Sequence, residues 1–323
     1  MLINFGFAID ALASDPTKIV GPNACAECHK REARAWKASH HFKTFREMPR
    51  KPEANKIGTK MGVRRIKLGA ICVDCHFTVQ EQGGKEKVVS GISCESCHGA
   101  GKDWLKTHSE FSGKTKLFES KAEAKARWEL SVSQGLIRVS AFYKLAKNCY
   151  GCHLVPTEDL VNKGGHPAGS AFELVSWSQG EVRHNTWYSF GKDNVAANAE
   201  HKRMLYLVGL GAELEAALRA IGKATTRRTF AFAMAKRADR VRKELAAAAE
   251  AVPGVPEIAE IVKLSHSAGL RLNNSDRLTA AADGISQQLT LITDKYDGST
   301  MAGLDSMIPG PDKYKGTASK PDE

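Results

Sequence analysis

Residues 92–108 read ISCESCHGAGKDWLKTH, a pair of cysteines followed at once by His98 and ten residues later by His108. The chain of 323 residues has eight cysteines, and all of them belong to four Cys-x-x-Cys-His motifs. We number these motifs 1–4 in chain order: Cys25/Cys28/His29, Cys72/Cys75/His76, Cys94/Cys97/His98 and Cys149/Cys152/His153. No cysteine is left over for a disulfide. All four motifs lie before residue 154, in the first half of the chain.

A Cys-x-x-Cys pair alone fits zinc, dithiol exchange or haem. A zinc ribbon joins two pairs into one four-ligand site and needs no histidine at the next position. A redox dithiol needs one pair. In Cys-x-x-Cys-His, the two thiols add to the haem vinyl groups and the histidine coordinates the iron. The sequence therefore predicts four covalent c-type haems, with iron held by His29, His76, His98 and His153.

Each iron has a second axial position, and seven of the 11 histidines remain for it. His108 follows a loop after motif 3, and we expect it to serve a neighbouring haem because the ring of its own haem stands in the way. Residues 30–45 (KREARAWKASHHFKTF) read as one amphipathic helix that delivers His40 and His41. Only one of these two can face a given iron, since adjacent helical positions point about 100° apart.

The motif order resembles the tetrahaem cytochrome c-554 family. Trp36 and His41 follow motif 1 at the family's spacing, a short hairpin (FTVQEQGGKEKVVSGIS, 77–93) joins motifs 2 and 3, and a Gly-x-Gly turn leads from motif 3 to His108. This resemblance covers roughly residues 20–155. It implies the pairs His29/His108 and His98/His41, a five-coordinate second haem on His76, and a fourth distal histidine farther along the chain.

The chain departs from the family in residues 164–187 (GGHPAGSAFELVSWSQGEVRHNTW), which contain His166 and His184. We expect His184 to pair with His153 at the fourth haem. His166 lies between two glycines and a proline and is a candidate cap for the second haem, with His201 in reserve for either role. If His166 does not cap it, the second iron has an open face.

The second half of the chain has no cysteine and is rich in alanine and leucine. Helical spacing predicts four helices within 201–224, 225–252, 256–270 and 275–296, with Pro256 in a first turn and Ser275 as a cap. Short connections predict an antiparallel bundle. His266 is expected to be structural. The fold class is thus mainly α, with one short hairpin: a tetrahaem domain (14–194), a bundle (195–300) and a flexible tail (301–323).

Composition restricts location and partners. No run approaches 18 apolar residues, so no membrane span is expected. Residues 1–13 (MLINFGFAIDALA) resemble a residual secretory leader, which agrees with haem attachment outside the cytoplasm and predicts a periplasmic or exported protein. The formal net charge is +11, but haem propionates offset much of it and no nucleic-acid motif accompanies it. The basic run 49–67 either steers an acidic redox partner or is a solvated loop.

The leading functional hypothesis is electron transfer between redox proteins, a donor enzyme and an acceptor cytochrome or quinone-linked protein, because bis-histidine iron binds no substrate. The first alternative is an oxidoreductase that converts nitric oxide, hydroxylamine or a similar nitrogen species at an open haem on His76. The second is a subunit of a haem-based conductive filament. A homodimer formed through the bundle is also consistent with its apolar helix faces.

Overall fold

In a computed structural model of the protein, residues 15–320 are described. This part of the chain is mainly α-helical, as predicted, and its only sheet is one two-stranded hairpin. None of its helices is both long enough and apolar enough to span a bilayer. The predicted leader, residues 1–13, lies outside the described residues.

The first half of the described chain consists of helices of at most 13 residues joined by loops. They are α1 (Pro22–Ala26), α2 (Lys30–Ala38), α3 (His40–Glu47), α4 (Pro52–Lys60), α5 (Ala70–His76), α6 (Cys94–His98), α7 (Leu105–Ser109), α8 (Lys121–Ser133), α9 (Phe142–His153), α10 (Glu158–Asn162) and α11 (Leu174–Ser178). Motifs 2, 3 and 4 end α5, α6 and α9, and motif 1 begins in α1 and ends just before α2. The Cys-x-x-Cys spacing of three residues places the two thiols about one helical turn apart.

The predicted hairpin is formed by β1 (Thr78–Glu81) and β2 (Glu86–Ser90), which pair antiparallel with Val79 opposite Val88. Gly83 and Gly84 both have positive φ in the turn, a conformation that glycine adopts without strain. The Thr78 hydroxyl donates to the Gly91 carbonyl oxygen at 2.7 Å and ties the base of the hairpin to the segment before motif 3. The hairpin therefore fixes motif 3 relative to motif 2.

The helix predicted over residues 30–45 is wrong in one respect, because the chain breaks at Ser39. Ser39 has extended backbone angles (φ −77°, ψ 161°), and its Oγ accepts a hydrogen bond from the Phe42 amide at 3.4 Å as the N-cap of α3. A serine competes for backbone groups in this way and favours a cap over a helix interior. His41 consequently lies in the first turn of α3 instead of at the end of one long helix.

The second half forms the predicted bundle of four helices, α12 (Ala199–Lys223), α13 (Thr229–Ala251), α14 (Pro256–Ala268) and α15 (Ser275–Lys295). Each helix packs on its sequence neighbours, and α12 also packs on α15. Gly211 contacts Leu289 whereas Gly222 contacts Leu278, so α12 and α15 run antiparallel. Pro256 begins α14 as predicted, but Asn274, not Ser275, is the N-cap residue of α15.

The apolar core of the bundle continues into the helix that carries motif 4. Tyr150 and Leu154 at the end of α9 and Val175 of α11 are buried in the same cluster as Leu207 and Leu218 of α12. A separate small cluster of Ile66, Cys72 and Phe77 surrounds motif 2. The bundle is therefore built directly onto the site of the fourth motif.

Residues 301–320, expected to be a flexible tail, are packed against the rest of the protein. Met301 and Leu304 are fully buried, and Arg203 of α12 forms a bidentate pair with Asp305 at 2.7 Å. Farther on, Lys315 forms backbone hydrogen bonds with Ser176 of α11 and with Glu181, which follows that helix. Polar composition alone could not reveal these contacts, because the buried anchors are only two apolar residues.

Candidate functional site

The four motifs lie close together in the order 1–3–4–2. Cys25 lies beside Cys94 and Cys75 lies beside Cys152, where α1 packs on α6 and α5 packs on α9, which joins motif 1 to motif 3 and motif 2 to motif 4. Helix α6 packs on α9, and the Asn148 side chain donates to the Cys97 carbonyl oxygen at 3.3 Å, which joins motif 3 to motif 4. All eight cysteines, each within the described residues, are free.

Motif 1 differs from the other three motifs because its second cysteine, Cys28, is exposed. The other seven cysteines are buried or half-buried. Cys28 follows α1, a helix of five residues with no buried side chain, and motif 1 is at one end of the row of motifs. The protein therefore does not enclose Cys28 as it encloses the other thiols, although Cys28 has the spacing from Cys25 and His29 that haem attachment requires. The assignment of all eight cysteines to haem attachment stays a prediction from the motifs.

Each motif histidine faces a second imidazole from elsewhere in the chain. The ring centres of the four pairs are 6.1–6.3 Å apart: His29 with His108 (6.1 Å), His76 with His166 (6.3 Å), His98 with His184 (6.3 Å) and His153 with His41 (6.2 Å). A metal–imidazole nitrogen bond is about 2 Å long, so imidazoles on opposite sides of one ion have ring centres roughly 6 Å apart. The four imidazole pairs therefore have the spacing that two histidines would need to hold one haem iron between them.

Two of these pairs differ from the predicted pairing. The family resemblance implies His41 opposite His98, and we expected His184 opposite His153, whereas the structure places His41 at His153 and His184 at His98. His41 faces His153 from the first turn of α3, which begins after the break at Ser39. The structure does bring His29 to His108, and it brings His76 to His166, the candidate cap.

His166 reaches motif 2 because of the tight turn that ends α10. Gly165 has φ +81°, and the His166 amide donates to the Leu160 carbonyl oxygen at 3.1 Å, which folds the chain back over the helix end. Its Nδ1 lies 2.8 Å from the Pro167 carbonyl oxygen. The Gly-Gly-His-Pro sequence thus fixes both the position and the orientation of this ring.

His184 is held in place by the C-terminal segment. The Lys315 amide donates to the Ser176 carbonyl oxygen and its carbonyl accepts from Glu181, both at 2.9 Å. The Asn194 side chain bridges the carbonyl oxygens of Arg183 and Ser319, again at 2.9 Å. Sequence reasoning missed this role of residues 311–320, since backbone hydrogen bonds leave no residue signature.

Three more histidines of these pairs have a hydrogen-bond acceptor beside Nδ1. Because Nδ1 then carries the proton, the other ring nitrogen, Nε2, is free to bind a metal. His98 and His184 have the backbone carbonyl oxygens of Ile137 (3.0 Å) and Val182 (2.6 Å), and His153 has Ser170 Oγ at 3.0 Å. A hydrogen bond of this kind fixes the tautomer and the ring orientation of a ligand. Neither Ile137 nor Ser170 stands out in the sequence.

His29 differs from the other motif histidines because its neighbour is a carboxylate. Glu32 Oε2 lies 3.6 Å from His29 Nδ1, and Glu32 also accepts a hydrogen bond from the Thr186 hydroxyl. Burial raises the pKa of Glu32, but the contact with His29 and the hydrogen bond from Thr186 outweigh burial and hold it at about 2. Glu32 is therefore an ionised acceptor at motif 1.

Burial keeps the key imidazoles neutral. It lowers the pKa of His76, His108 and His153 to about 4, and it also lowers the pKa of His41 and His98. A neutral imidazole offers a lone pair to a metal, whereas a protonated one does not. These five histidines are consequently available as ligands at pH 7.

The remaining histidines face no second imidazole among the described residues. His40 is exposed and its Nδ1 lies 2.6 Å from Glu181. His201, the reserve ligand, packs edge-on against Phe142 at 4.6 Å. His266 lies in α14 of the bundle, far along the chain from every motif.

Four Cys-x-x-Cys-His motifs, each with its histidine facing another imidazole, are the site features of a c-type cytochrome. Comparison with known proteins agrees. Residues 24–99 match the family described as cytochrome c554 and c-prime, and the chain is 27% identical to cytochrome c-554 of Nitrosomonas europaea over 152 residues. That alignment covers 45% of this chain and 60% of the relative. No solved structure matches the chain.

These matches confirm the resemblance to the cytochrome c-554 family that the motif order predicts, and they imply c-type haem as the cofactor. The family match contains motifs 1–3 and ends at Gly99, the first residue of the Gly-x-Gly turn that leads to His108. The bundle therefore has no counterpart in the matched family region.

Proposed function

We propose that the protein is a periplasmic or exported electron carrier that holds four c-type haems, each between two histidines. The observation that carries this proposal is the set of four facing imidazole pairs, one for each motif. A bound c-type haem supplies a one-electron iron couple. The thiols of each motif tether the group, and the ligand pairs are His29/His108, His76/His166, His98/His184 and His153/His41.

His166 favours a carrier over an enzyme. Its ring faces His76 with centres 6.3 Å apart, so the position at which a nitrogen-oxide substrate would bind is taken by a side chain of the protein itself. Two fixed imidazoles also keep the geometry of a site the same in both redox states, which suits electron transfer. No described feature favours the enzymatic or filament alternative.

The order 1–3–4–2 gives one continuous path with two ends. At the motif 1 end, Trp187 packs on His29 with ring centres 4.5 Å apart, and next to it Tyr188 and Phe190 are 82% and 71% exposed. An exposed aromatic patch of this kind is typical of protein docking. We assign one redox partner to this end.

At the motif 2 end, the basic run 49–67 lies beside His166, because Lys60 contacts Gly165 and Met61 contacts Gly164. Positive charge next to a terminal site steers an acidic partner and raises its rate of association. This placement supports the steering interpretation of the run over a solvated loop. We therefore assign an acidic redox partner to the motif 2 end.

The decisive experiment combines a haem count with spectroscopy on the purified holoprotein. Intact mass and a pyridine haemochrome assay should give four covalent haems. Electron paramagnetic resonance of the oxidised protein should show only low-spin iron, and nitric oxide should form no adduct with the reduced protein. Fewer than four haems would overturn the ligand set. A high-spin signal that is replaced by a nitrosyl adduct would move the enzymatic alternative to the front.

A further inference from the structure

A chain of hydrogen bonds runs from the bundle to the motif 4 histidine. Arg237 of α13 donates through Nη1 to Glu213 Oε1 and through Nη2 to the Ser170 carbonyl oxygen, both at 2.7 Å. The Ser170 hydroxyl lies 3.0 Å from Nδ1 of His153. The Ser170 amide also donates to the His153 carbonyl oxygen at 2.9 Å. One guanidinium therefore connects a bundle carboxylate to the residue that holds the His153 ring.

The link is buried and tightly packed. The side chains of Glu213 and Arg237 are 1% and 14% exposed, and a buried charge without its partner is strongly destabilising. The planar fork of arginine directs its two arms at fixed angles, so pairing with Glu213 determines where Nη2 points. Position 169, where Gly169 has φ +89°, has no room for a larger side chain. A Cβ there would lie only 2.9 Å from both Arg237 Nη2 and the His153 carbonyl oxygen.

We propose that Arg237 is a positioning residue for His153 and that its charge raises the reduction potential of the haem at motif 4. This inference rests on the proposed function. A fixed positive charge favours the reduced state of an iron couple, which carries one positive charge less than the oxidised state. Hydrogen bonding through Ser170 also sets the basicity and orientation of the ligand. The bundle thus tunes an electron-transfer site as well as packing against it.

The test is a spectroelectrochemical titration of the full holoprotein and three variants. Arg237→Gln should lower one of the four potentials so that the ratio of reduced to oxidised haem at a fixed potential falls about tenfold, about 59 mV for a one-electron couple. Arg237→Lys keeps the charge and should recover part of the shift. Arg240→Gln is the matched control, because Arg240 also binds Glu213 Oε1, at 2.5 Å, but makes no contact with Ser170.

Four unchanged potentials in Arg237→Gln, or an equal shift in Arg240→Gln, would overturn the inference. Ser170→Ala provides an independent arm if Arg237→Gln does not fold, because it removes the hydroxyl and keeps the carbonyl that Arg237 binds. It should raise the same potential, since His153 loses a hydrogen-bond acceptor and becomes less basic. Four unchanged potentials in Ser170→Ala would refute the link. Fewer than four haems in the unmutated protein would instead refute the proposed function.

Discussion

The imidazoles of His41 and His153 face each other with ring centres 6.2 Å apart, although one follows motif 1 and the other ends motif 4. Phe172 also stacks on His153, with ring centres 4.4 Å apart and an interplanar angle of 21°. Helices α3 and α9 thus meet across one ligand pair, and the bundle packs behind α9. The pair therefore joins the segment after the first motif in the chain to the last motif in the chain.

The first prediction is that His41→Ala opens the iron at motif 4. The variant should gain a high-spin signal, because no other described histidine faces His153. Combining it with Cys149→Ala and Cys152→Ala should remove both the fourth haem and the signal. The matched background is Cys94→Ala with Cys97→Ala, which removes the third haem and should keep the signal. If the high-spin signal instead survives loss of the fourth haem and disappears with the third, His41 is a ligand at motif 3, as the family resemblance implies.

His166→Ala should open the iron at motif 2 and allow it to bind nitric oxide. The ring of His166 faces His76 from a loop, so its removal should create a coordination position without disturbing a helix. The measurement is the nitrosyl signal of the reduced protein. His201→Ala is the control, because that ring packs on Phe142 and should leave all irons six-coordinate. A nitrosyl signal of equal intensity in the unmutated protein would contradict the assignment of His166 as the second ligand at motif 2.

Much of the site could be predicted from the sequence, because the Cys-x-x-Cys-His motif is typical of haem attachment and every cysteine belongs to such a motif. The four bundle helices were also predictable from apolar spacing, and the hairpin from the family resemblance. The partners of His41 and His184 could not be predicted. The position of His41 depends on the N-cap at Ser39, and that of His184 depends on backbone hydrogen bonds to Lys315. Neither feature alters the periodicity of the chain. The Arg237–Ser170 link was hidden because it joins segments far apart in sequence.

The C-terminal segment should be required for ligation by His184. Truncation after Gly310 removes the hydrogen bonds of Lys315 to Ser176 and Glu181, and the one from Asn194 to Ser319. We expect a high-spin signal from the motif 3 iron in the truncated holoprotein. Truncation after Lys320 keeps all of these contacts and should leave only low-spin iron. Identical spectra for the two truncations would show that residues 311–320 do not position His184.

Leu289→Ala should destabilise the bundle by about 2–5 kcal/mol, because it removes a fully buried side chain that packs against Gly211 and leaves a cavity. Its neighbour Leu291 is 39% exposed, and Leu291→Ala should change stability by no more than about 0.5 kcal/mol. Urea unfolding followed by far-ultraviolet circular dichroism measures both. Equal losses would mean that the α12–α15 contact is not the centre of the bundle core.

Glu158 should make the contact between α10 and the bundle sensitive to acid. Its carboxylate accepts hydrogen bonds from the amides and hydroxyls of Thr225 and Thr226, at 2.5–3.1 Å. Burial raises the pKa of Glu158, but these hydrogen bonds outweigh burial and lower it from the ordinary 4.5 to about 2. A pKa lowered by folding stabilises the protein above the unfolded value. The stabilisation is therefore complete above pH 4.5 and is lost as the pH falls towards 2.

Glu158→Gln should accordingly lower the free energy of unfolding at pH 7, by less than about 1 kcal/mol because solvent screens this partly exposed group. The difference from the unmutated protein should shrink at pH 3, because the carboxyl group of the unfolded chain, with its ordinary pKa of 4.5, is then largely protonated. Urea unfolding at the two pH values measures this. Asp159→Asn alters the exposed neighbour, which makes none of these contacts, and should show no such pH-dependent difference. A loss in Glu158→Gln that is as large at pH 3 as at pH 7 would mean that the charge of Glu158 is not what secures α10 to the bundle.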